Sequence, residues 1–341
     1  MRPLRYLMAY SLPVTVAISF MSTGWLCFLP LLYGFGVIPL VDQLIGPKVG
    51  NLTAEEHNSE AEYRLYDFVI YMALPVQLFM LGWFLMEVQE PLTTSDLVGR
   101  ITAMGMICGV LGINVAHELG HRPKSIERFM AKILLATSLY MHFYIEHNKG
   151  HHRNVGTSAD GATARRNESL YAFWFRTIIR SFRSAWQITE KELRRKKQNV
   201  WSLKNEILVM LIVQALLCAL VVAVFSFFTL LCFLGAAFMG ILLLETVNYI
   251  EHYGLYRNKV NEFRYEDVEP EHSWNSDHAL GRLVLFELTR HSDHHYEPSK
   301  HYQLLNSMKG ASQLPAGYPA MMLLSLFPPI WFRVMNSRLP K

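Results

Sequence analysis

The chain alternates between long apolar runs and polar segments, and six of the runs have about the length of a membrane-spanning helix. A helix needs about 20 predominantly apolar residues to cross the hydrocarbon core of a bilayer. The six runs cover residues 7–21, 25–45, 65–86, 97–116, 207–227 and 230–247. The pattern therefore predicts an all-α, polytopic protein with six transmembrane helices, folded as a single integral membrane domain over residues 1–341.

Lys and Arg residues are distributed unequally between the polar segments. Residues 87–96, between the third and fourth runs, contain none, whereas the long segment between the fourth and fifth runs contains many. They include Arg165, Arg166, Arg176, Arg180, Arg183, Arg194, Arg195, Lys196 and Lys197. Because cytoplasmic loops are enriched in Lys and Arg, residues 117–206 and 248–341 are predicted to be cytoplasmic.

Two further apolar stretches are too short or too interrupted to be added to the six. Residues 129–144 form a short run, which we expect to be a helix buried against the cytoplasmic face. Residues 314–332 are apolar but contain several prolines, which interrupt helices. We expect this second stretch to lie at the membrane interface or to cap the cytoplasmic part of the protein.

Composition agrees with a membrane protein and gives no indication of three other features. Hydrophobic residues make up 51% of the chain and charged residues 18%, and the mean hydropathy is +0.16. The formal net charge of +4 is mild and its basic residues concentrate in a few segments, so nucleic-acid binding is not indicated. The four cysteines lie inside apolar runs without a CxxC pair, which argues against a disulfide framework and a sulfur metal site.

The candidate chemistry lies in nine histidines, which form four short clusters at the ends of apolar runs. They are His117 and His121, then His147, His151 and His152, then His252, and finally His291, His294 and His295. Histidines at i and i+3 or i+4 share one helix face, so each cluster can direct two or three imidazoles to one point. Imidazole-only sites suit iron, copper, zinc or nickel, and nine ligands are too many for one ion. The pattern predicts a dinuclear metal site.

The motifs around these histidines resemble those of the membrane-bound alkane monooxygenases, a branch of the histidine-rich membrane di-iron proteins. HELGHR begins at residue 117, EHNKGHH at 146, NYIEHYGL at 248, HSWNSDH at 272 and RHSDHH at 290. The histidine boxes alone indicate the wider group, whereas NYIEHYGL is typical of the alkane and xylene hydroxylase branch. The resemblance extends from the second apolar run to about Trp331, and no ligand position departs from the family pattern.

The resemblance implies an enzyme of the bacterial inner membrane that hydroxylates the terminal carbon of medium- to long-chain linear alkanes. The implied cofactor is a pair of iron ions, with O2 as co-substrate and the nine clustered histidines as ligands. Electrons would come from rubredoxin, with rubredoxin reductase and NAD(P)H upstream. One family variant carries a fused rubredoxin, which needs two CxxC pairs that this chain lacks. We therefore expect the rubredoxin to be a separate protein.

Neighbouring polar side chains are expected to orient the histidines through their second ring nitrogens. Four acids, each adjacent in sequence to a clustered histidine, and one further histidine are candidates for this role. They are Glu118, Glu146, Glu251, Asp293 and His272. The alternative interpretation is that the acids are solvated or capping residues and that His272 is an ordinary hydrogen-bonded histidine.

Other functions remain open at the level of sequence. A xylene-type hydroxylase or a fatty-acyl desaturase or hydroxylase would use the same motifs. HELGH also matches the HExxH motif of zinc proteases, in which the glutamate, here Glu118, activates water. That site requires only one more ligand and leaves most of the clustered histidines unexplained. A metal transporter is disfavoured because the apolar runs themselves contain no histidine.

Two smaller features bear on substrate and partner. Gly34 and Gly36 in the second run could leave an open slot in a substrate channel, although glycine is also common where membrane helices pack closely. The basic run at residues 194–197 could bind an acidic electron carrier, or could be only a solvated positive face near the membrane.

Overall fold

The computed structural model describes residues 2–262 and 264–340, and most of these residues are helical. Within them, five helices are long and apolar enough to cross a membrane. They are Gly24–Ile45, Leu65–Glu87, Thr94–His121, Glu206–Val224 and Phe227–His252. The all-α prediction is therefore confirmed, and five of the six predicted transmembrane runs correspond to these helices.

The first predicted run, residues 7–21, is helical but is not one of the five. It consists of a 3-10 helix, Pro3–Tyr10, followed by the α-helix Ser11–Phe20. This segment packs against the start of the helix Gly24–Ile45, where the Ser19 hydroxyl donates to the Cys27 carbonyl at 2.6 Å. The prediction of six membrane-spanning helices is thus not confirmed.

Three of the long helices contain irregular turns. Gly24–Ile45 is composed of the 3-10 helix Gly24–Phe28, the α-helices Leu29–Leu32 and Ile38–Ile45, and the π-helix Tyr33–Val37 between them. Leu65–Glu87 consists of Leu65–Tyr71 and Ala73–Glu87. Thr94–His121 consists of Thr94–Ile107, the π-helix Cys108–Ile113 and Asn114–His121. Each π-helical segment widens the backbone locally, a feature often found near functional sites.

The long helices all begin or end at one common end of the bundle. Arg122, after the third long helix, forms an ion pair with Asp67 at the start of the second. Asp42, near the end of the first, accepts hydrogen bonds from the backbone of Leu280 and Gly281. The opposite end contains the contact between the Gly24 backbone and Asp96 at 2.6 Å. We call the first of these the histidine end, because every clustered histidine lies there.

Most of the remaining elements lie at the histidine end, whereas the helix Ser125–Thr137 packs along the bundle against Ala73–Glu87 and Cys108–Ile113. The remaining elements are the α-helices Ala54–Glu62, Ser125–Thr137, Phe143–Ile145, His152–Asn154, Leu170–Arg195, Ala279–Val284, His291–Tyr296, Tyr318–Ser325 and Pro328–Met335, the π-helix Glu146–His151, the 3-10 helices Pro270–His272 and Tyr302–Leu304, and the parallel two-residue strands Trp274–Asn275 and Ser312–Gln313. The short run at 129–144 is helical to Thr137 and again from Phe143, with a turn between, and the second helix leads into the second histidine cluster.

The amphipathic helix Leu170–Arg195 lies across the last membrane helix. Its buried positions recur every three or four residues, from Leu170 and Phe173 to Leu193, which is the pattern of a helix with one packed face. On that face the Thr177 hydroxyl donates to Glu245 at 3.0 Å. Arg183, Arg194 and Arg195 are exposed, whereas Arg176 is largely buried, because it pairs with Glu168 at 2.6 Å and donates to the Gly161 carbonyl.

The C-terminal apolar segment caps the polar part of the molecule, as one of the two sequence interpretations predicts. Trp331 is fully buried, and its ring centroid lies 5.2 Å from that of Tyr249 and 5.3 Å from that of Tyr253. These two tyrosines flank His252 in sequence. The cap thus packs directly behind the end of the helix that carries this histidine.

Candidate metal centre

The nine clustered histidines converge at the histidine end and form two adjacent groups. His117, His121, His147, His152 and His294 form the five-histidine group, and His151, His252, His291 and His295 form the four-histidine group. Within each group the candidate ligand nitrogens all lie within 4.8 Å of one another. The structure thus brings together all nine histidines that the sequence singled out.

In the five-histidine group the Nε2 atoms point at a common centre. The Nε2 atoms of His117 and His294 are 2.9 Å apart, and those of His121 and His147 are 3.0 Å apart. The Nε2 atom of His152 is 3.0 Å from that of His147 and 3.1 Å from that of His294. His117 and His121 are one turn apart on the last turns of a membrane helix, so the helix itself sets their common direction.

The four-histidine group has the same arrangement. The Nε2 atom of His291 is 3.1 Å from that of His252 and 2.9 Å from that of His295, and the Nε2 atoms of His151 and His295 are 3.2 Å apart. His252 is the final residue of the helix Phe227–His252, and His291 begins the helix His291–Tyr296. All four side chains are buried.

Some histidines of the same sequence cluster belong to different groups. The prediction that each cluster directs all its imidazoles to one point is therefore wrong for two of the clusters. The i, i+4 pairs 117/121 and 291/295 do meet in one group, but His147 and His151 do not, and neither do His291 and His294. The cause for the second cluster is the π-helix Glu146–His151, in which the His152 N–H bonds to the carbonyl of His147. A π-helix brings residues five apart onto one face, so His147 pairs with His152.

This donor set fits two cations. Two imidazole nitrogens bound at right angles to one ion, each 2.0–2.1 Å from it, would be about 3.0 Å apart, which matches the observed Nε2 separations of 2.9 to 3.2 Å. Mutual hydrogen bonding cannot satisfy five nitrogens that face one point, because each neutral ring carries a single N–H. The Nδ1 atoms of His152, His252, His291 and His295 are buried without a hydrogen-bond partner within the described part of the chain.

The protonation states also suit a metal site. Burial lowers the pKa well below the usual histidine range at five of the positions outside the membrane helices. They are His147, His152, His291, His294 and His295. These rings are therefore neutral at physiological pH, which leaves a lone pair on the unprotonated nitrogen for a metal.

Asp160 is a supporting residue that the sequence argument missed. Its Oδ2 lies 3.1 Å from the Nδ1 atom of His151 and accepts from the Thr163 hydroxyl at 2.6 Å, while its Oδ1 accepts from the Ala162 backbone N–H at 3.1 Å. Burial acts to lower the pKa of His151, but the charge of Asp160 and the hydrogen bond outweigh it and raise that pKa. Asp160 lies nine residues after His151 in an irregular segment, so only its proximity in the fold identifies it.

Among the predicted supporting acids, only Glu251 lies within ion-pair distance of a clustered ring nitrogen. Its Oε2 is 3.3 Å from the Nε2 atom of His291, the nitrogen that faces the group rather than the outer one. Glu146 occupies a buried polar space beside His147 and His151, and burial raises its pKa to about 8. Its carboxylate forms no hydrogen bond to a clustered ring within the described residues.

The other three predicted supporting residues have different partners. Glu118 accepts from the Arg122 guanidinium at 3.1 Å and from the Tyr302 backbone N–H at 3.2 Å. Asp293 accepts from Lys300 at 3.0 Å and from the Asn306 backbone at 2.6 Å. The Nε2 atom of His272 lies 3.1 Å from Glu266. These contacts hold the segments that carry the histidines, without touching the rings themselves.

Comparison with known proteins identifies the family. The fatty acid desaturase family model matches residues 97–324. An alkane 1-monooxygenase of Ectopseudomonas oleovorans is 41% identical over 323 residues, which cover 93% of this chain and 80% of that protein. Another, from Pseudomonas putida, is 40% identical over 93% of this chain and 79% of its own length. The chain belongs to the alkane 1-monooxygenase family. The hydroxylase component of a xylene/toluene monooxygenase from Pseudomonas putida is more distant, with 29% identity over 79% of this chain and 72% of that protein.

In this alkane 1-monooxygenase family member, a narrow apolar cavity of about 70 Å³ runs between the membrane helices. Its lining residues include Gly34, Met106, Leu244, Val247 and Leu288. The last three also line a small space whose walls include rings from both histidine groups. Met106 lies eleven residues before His117 on the same long helix, so the lining of the cavity includes positions about three turns away from the histidine groups.

The two glycines differ in their relation to this cavity. Gly34 is buried and lines it, and a Cβ atom added there would approach the Met106 methyl carbon at 2.6 Å. Gly36 is exposed, and a Cβ atom there would have no neighbour within 4 Å. Of the slot expected at residues 34 and 36, only Gly34 therefore contributes to the cavity.

Proposed function

We propose that this protein hydroxylates the terminal carbon of medium- to long-chain linear alkanes, with two iron ions held by the nine histidines. The observation that carries the proposal is the pair of all-imidazole groups at the end of an apolar cavity among membrane helices. An alkane, O2, two electrons and two protons would yield a primary alcohol and water. The family relationship supports the same reaction.

The donor set favours an oxygen-activating metal over a purely structural one. The five histidines of one group and the four of the other would each hold one ion through imidazole nitrogens, a donor set that suits iron and oxygen chemistry. Bound iron would supply the activation of O2 and the attack on an unactivated C–H bond. The protein would hold the ligands, exclude water and present one carbon of the substrate.

The apolar cavity would orient a substrate that has no polar groups. Leu244, Val247 and Leu288 line both the apolar cavity and the space beside His117, His147 and His291, so these side chains would form the constriction between the two. A linear chain would enter this constriction end first, which favours attack at a terminal carbon. Its apolar walls would gain from burial of each methylene, at about 0.8 kcal/mol per buried CH2.

The membrane orientation proposed from the sequence is compatible with this route. The substrate would partition into the bilayer and reach the cavity laterally, while electrons would arrive at the histidine end. The basic segment 165–197 follows the histidine clusters in sequence, and the positive-inside tendency supports a cytoplasmic histidine end in the bacterial inner membrane.

The rival zinc-protease interpretation lacks its catalytic base. Such a site needs the glutamate of HExxH free to activate a metal-bound water. Glu118 is instead occupied by Arg122 and the Tyr302 backbone. The remaining histidines would also have no role.

Metal and product analysis tests the proposal. Purified protein should contain about two irons per chain, the number that two all-histidine groups hold. Membranes supplied with rubredoxin, rubredoxin reductase, NADH and O2 should convert linear alkanes to 1-alkanols. Zinc as the bound metal with peptide-bond cleavage would refute the hydroxylase, and double-bond formation in an acyl chain as the only product would assign the protein to the desaturases.

We further propose that a separate, acidic rubredoxin binds beside the partly exposed ligands. His121 and His152 are the clustered histidines that are not fully buried. Lys149, three residues before His152, forms an ion pair with Glu192 at 2.8 Å, and the exposed basic residues 194–197 follow within one helical turn. Arg194 pairs with Glu190 at 2.7 Å, so Arg195, Lys196 and Lys197 are the cations of this region that would attract an acidic carrier.

Reversal of the four charges at residues 194–197 to glutamate should raise the KM for rubredoxin while leaving iron content unchanged. Exposed charge attraction is screened over about 8 Å at physiological salt, so the KM of the unmodified protein should also rise with ionic strength. Steady-state kinetics with varied rubredoxin and salt measure both effects. If neither salt nor reversal changes the KM, this run has no part in binding the carrier.

The size of the residue at position 34 should determine the longest alkane that is oxidised. Gly34→Leu extends a side chain towards Met106 and shortens the cavity, so conversion of the longest substrates should fall about 10-fold or more relative to shorter ones. Gly36→Leu is the matched control, because it lies in the same π-helical segment but outside the cavity. Product profiles over an alkane series measure the shift, and equal profiles for the two variants would refute this path.

A further inference from the structure

A second cavity, lined by basic side chains, opens at the histidine end on the side of the N-terminus. It has a volume of about 320 Å³ and lies apart from the histidine groups. Its cationic lining residues are Arg2, Arg5, Lys48, Arg282 and Arg290, against one carboxylate, Glu287. We call it the basic cavity. Neither the proposed hydroxylation nor the rubredoxin surface uses it.

Two of these five cations have no acidic partner. Arg2 pairs with Glu56 and Glu60, Arg282 pairs with Glu287, and Arg290 lies 3.3 Å from Asp277. In contrast, Arg5 and Lys48 form no ion pair within the described ranges, and both are exposed at the cavity. The cavity therefore has an excess of positive charge that is available to a ligand.

The buried wall of the cavity also contains an unused polar atom. Gln303 is 8% exposed, and its Oε1 has no hydrogen-bond partner among the residues the structure describes. An unpaired buried amide oxygen costs free energy unless a ligand or water bonds to it. A ligand with an anionic group and an adjacent hydroxyl or ammonium donor would complement both the cations and Gln303.

The position of the cavity favours a lipid as the source of that anion. Lys48 follows the end of the helix Gly24–Ile45, and Tyr66 lies in the first turn of Leu65–Glu87, so the cavity lies at the level of the membrane surface. Exposed apolar residues, Leu44 at 78% and Ile45 at 45%, precede Lys48 and would contact acyl chains. Basic pockets between membrane helices characteristically bind anionic headgroups.

We propose that the basic cavity binds a phosphate-bearing anion, with the headgroup of an anionic phospholipid as the source that its position favours. The phosphate would lie between Arg5 and Lys48, and the glycerol or amine group of the headgroup would reach Gln303. Because no clustered histidine lines the basic cavity, this proposal stands whether or not the hydroxylase assignment is correct.

Binding of dioleoylphosphatidylglycerol to the detergent-purified full chain tests the proposal, with phosphatidylcholine and inorganic phosphate as separate arms. The double variant Arg5→Gln, Lys48→Gln should bind phosphatidylglycerol about 30-fold more weakly, since each Lys or Arg near a headgroup strengthens binding by roughly 5-fold. Lys204→Gln, Arg333→Gln removes the same two kinds of charge outside the cavity and should bind as the unmodified protein does.

The outcomes separate the sources of the anion. Saturable binding of phosphatidylglycerol, stronger than that of phosphatidylcholine and lost only in the cavity variant, establishes a lipid site. Inorganic phosphate binding that is lost in the same variant, without preferential lipid binding, establishes a phosphate site with a soluble ligand. Equal binding by the two double variants, or no binding of either probe, overturns the proposal.

Discussion

His252→Ala should reduce iron content from about two per chain to about one and lower alkane oxidation by more than about 100-fold. The change removes one of only four nitrogens from its group, and its Nε2 lies 3.1 Å from that of His291. Residues that merely orient a ligand typically contribute 10- to 100-fold, so a ligand should exceed that range. Iron analysis and single-turnover product yield on the same preparation measure the two effects.

His272→Ala is the control for this prediction. His272 is as buried as His252 and lies twenty residues after it, but its ring contacts Glu266 and the backbone of Glu269 rather than a clustered histidine. Its loss should leave two irons bound. Full iron content and activity in His252→Ala would mean that the four-histidine group is not a metal site, and the NYIEHYGL motif would lose its proposed role.

Asp160→Ala should weaken iron binding at the four-histidine group by 10- to 100-fold, the usual effect of losing a carboxylate that orients a ligating histidine. Asp160 contacts His151, which belongs only to that group. One of the two irons should therefore be lost at chelator concentrations that leave the other in place. Asp160→Asn keeps an oxygen acceptor for the ring and should show a smaller effect.

Asp293→Ala distinguishes this role from a general loss of stability. Asp293 is adjacent in sequence to the proposed ligand His294, but its carboxylate bonds to Lys300 and the Asn306 backbone. Its removal should lower the unfolding temperature without changing the iron affinity of the folded fraction. Equal iron affinities for Asp160→Ala and Asp293→Ala would show that proximity of Asp160 to His151 has no effect on the metal.

Much of the architecture is predictable from local sequence. The length of the apolar runs predicts the five long helices. The predicted and observed helix ends differ mainly where a helix continues into a histidine motif, as it does at His117 and His252. The identity of the nine histidines also follows from their clustering. The run at 7–21 shows the limit of this reasoning: length and apolar character suggest a span, yet the segment is a 3-10 helix joined to a short α-helix.

The division of the histidines into two groups is not predictable in this way. Regular helical spacing pairs His147 with His151, whereas the π-helical turn pairs His147 with His152. The role of Asp160 depends on a contact between an irregular segment and a helix end, for which local sequence has no signal. Adjacency in sequence likewise suggests Glu118 and Asp293 as orienting groups, although their carboxylates are directed to Arg122 and Lys300.

Two pairs of consecutive histidines are divided between the two histidine groups, and this limits which parts of the site can change. His151 and His152 supply different groups, as do His294 and His295, and the ring centroids within these pairs are 5.8 Å and 5.7 Å apart. The peptide units His151–His152 and His294–His295 each have a fixed Cα separation of about 3.8 Å. They therefore fix the spacing between the two proposed metal positions. The apolar cavity is not fixed in this way, because its walls are side chains from separate membrane helices. Substitutions in these helices can therefore change the shape of the cavity while the peptide bonds keep the two histidine groups at the same spacing.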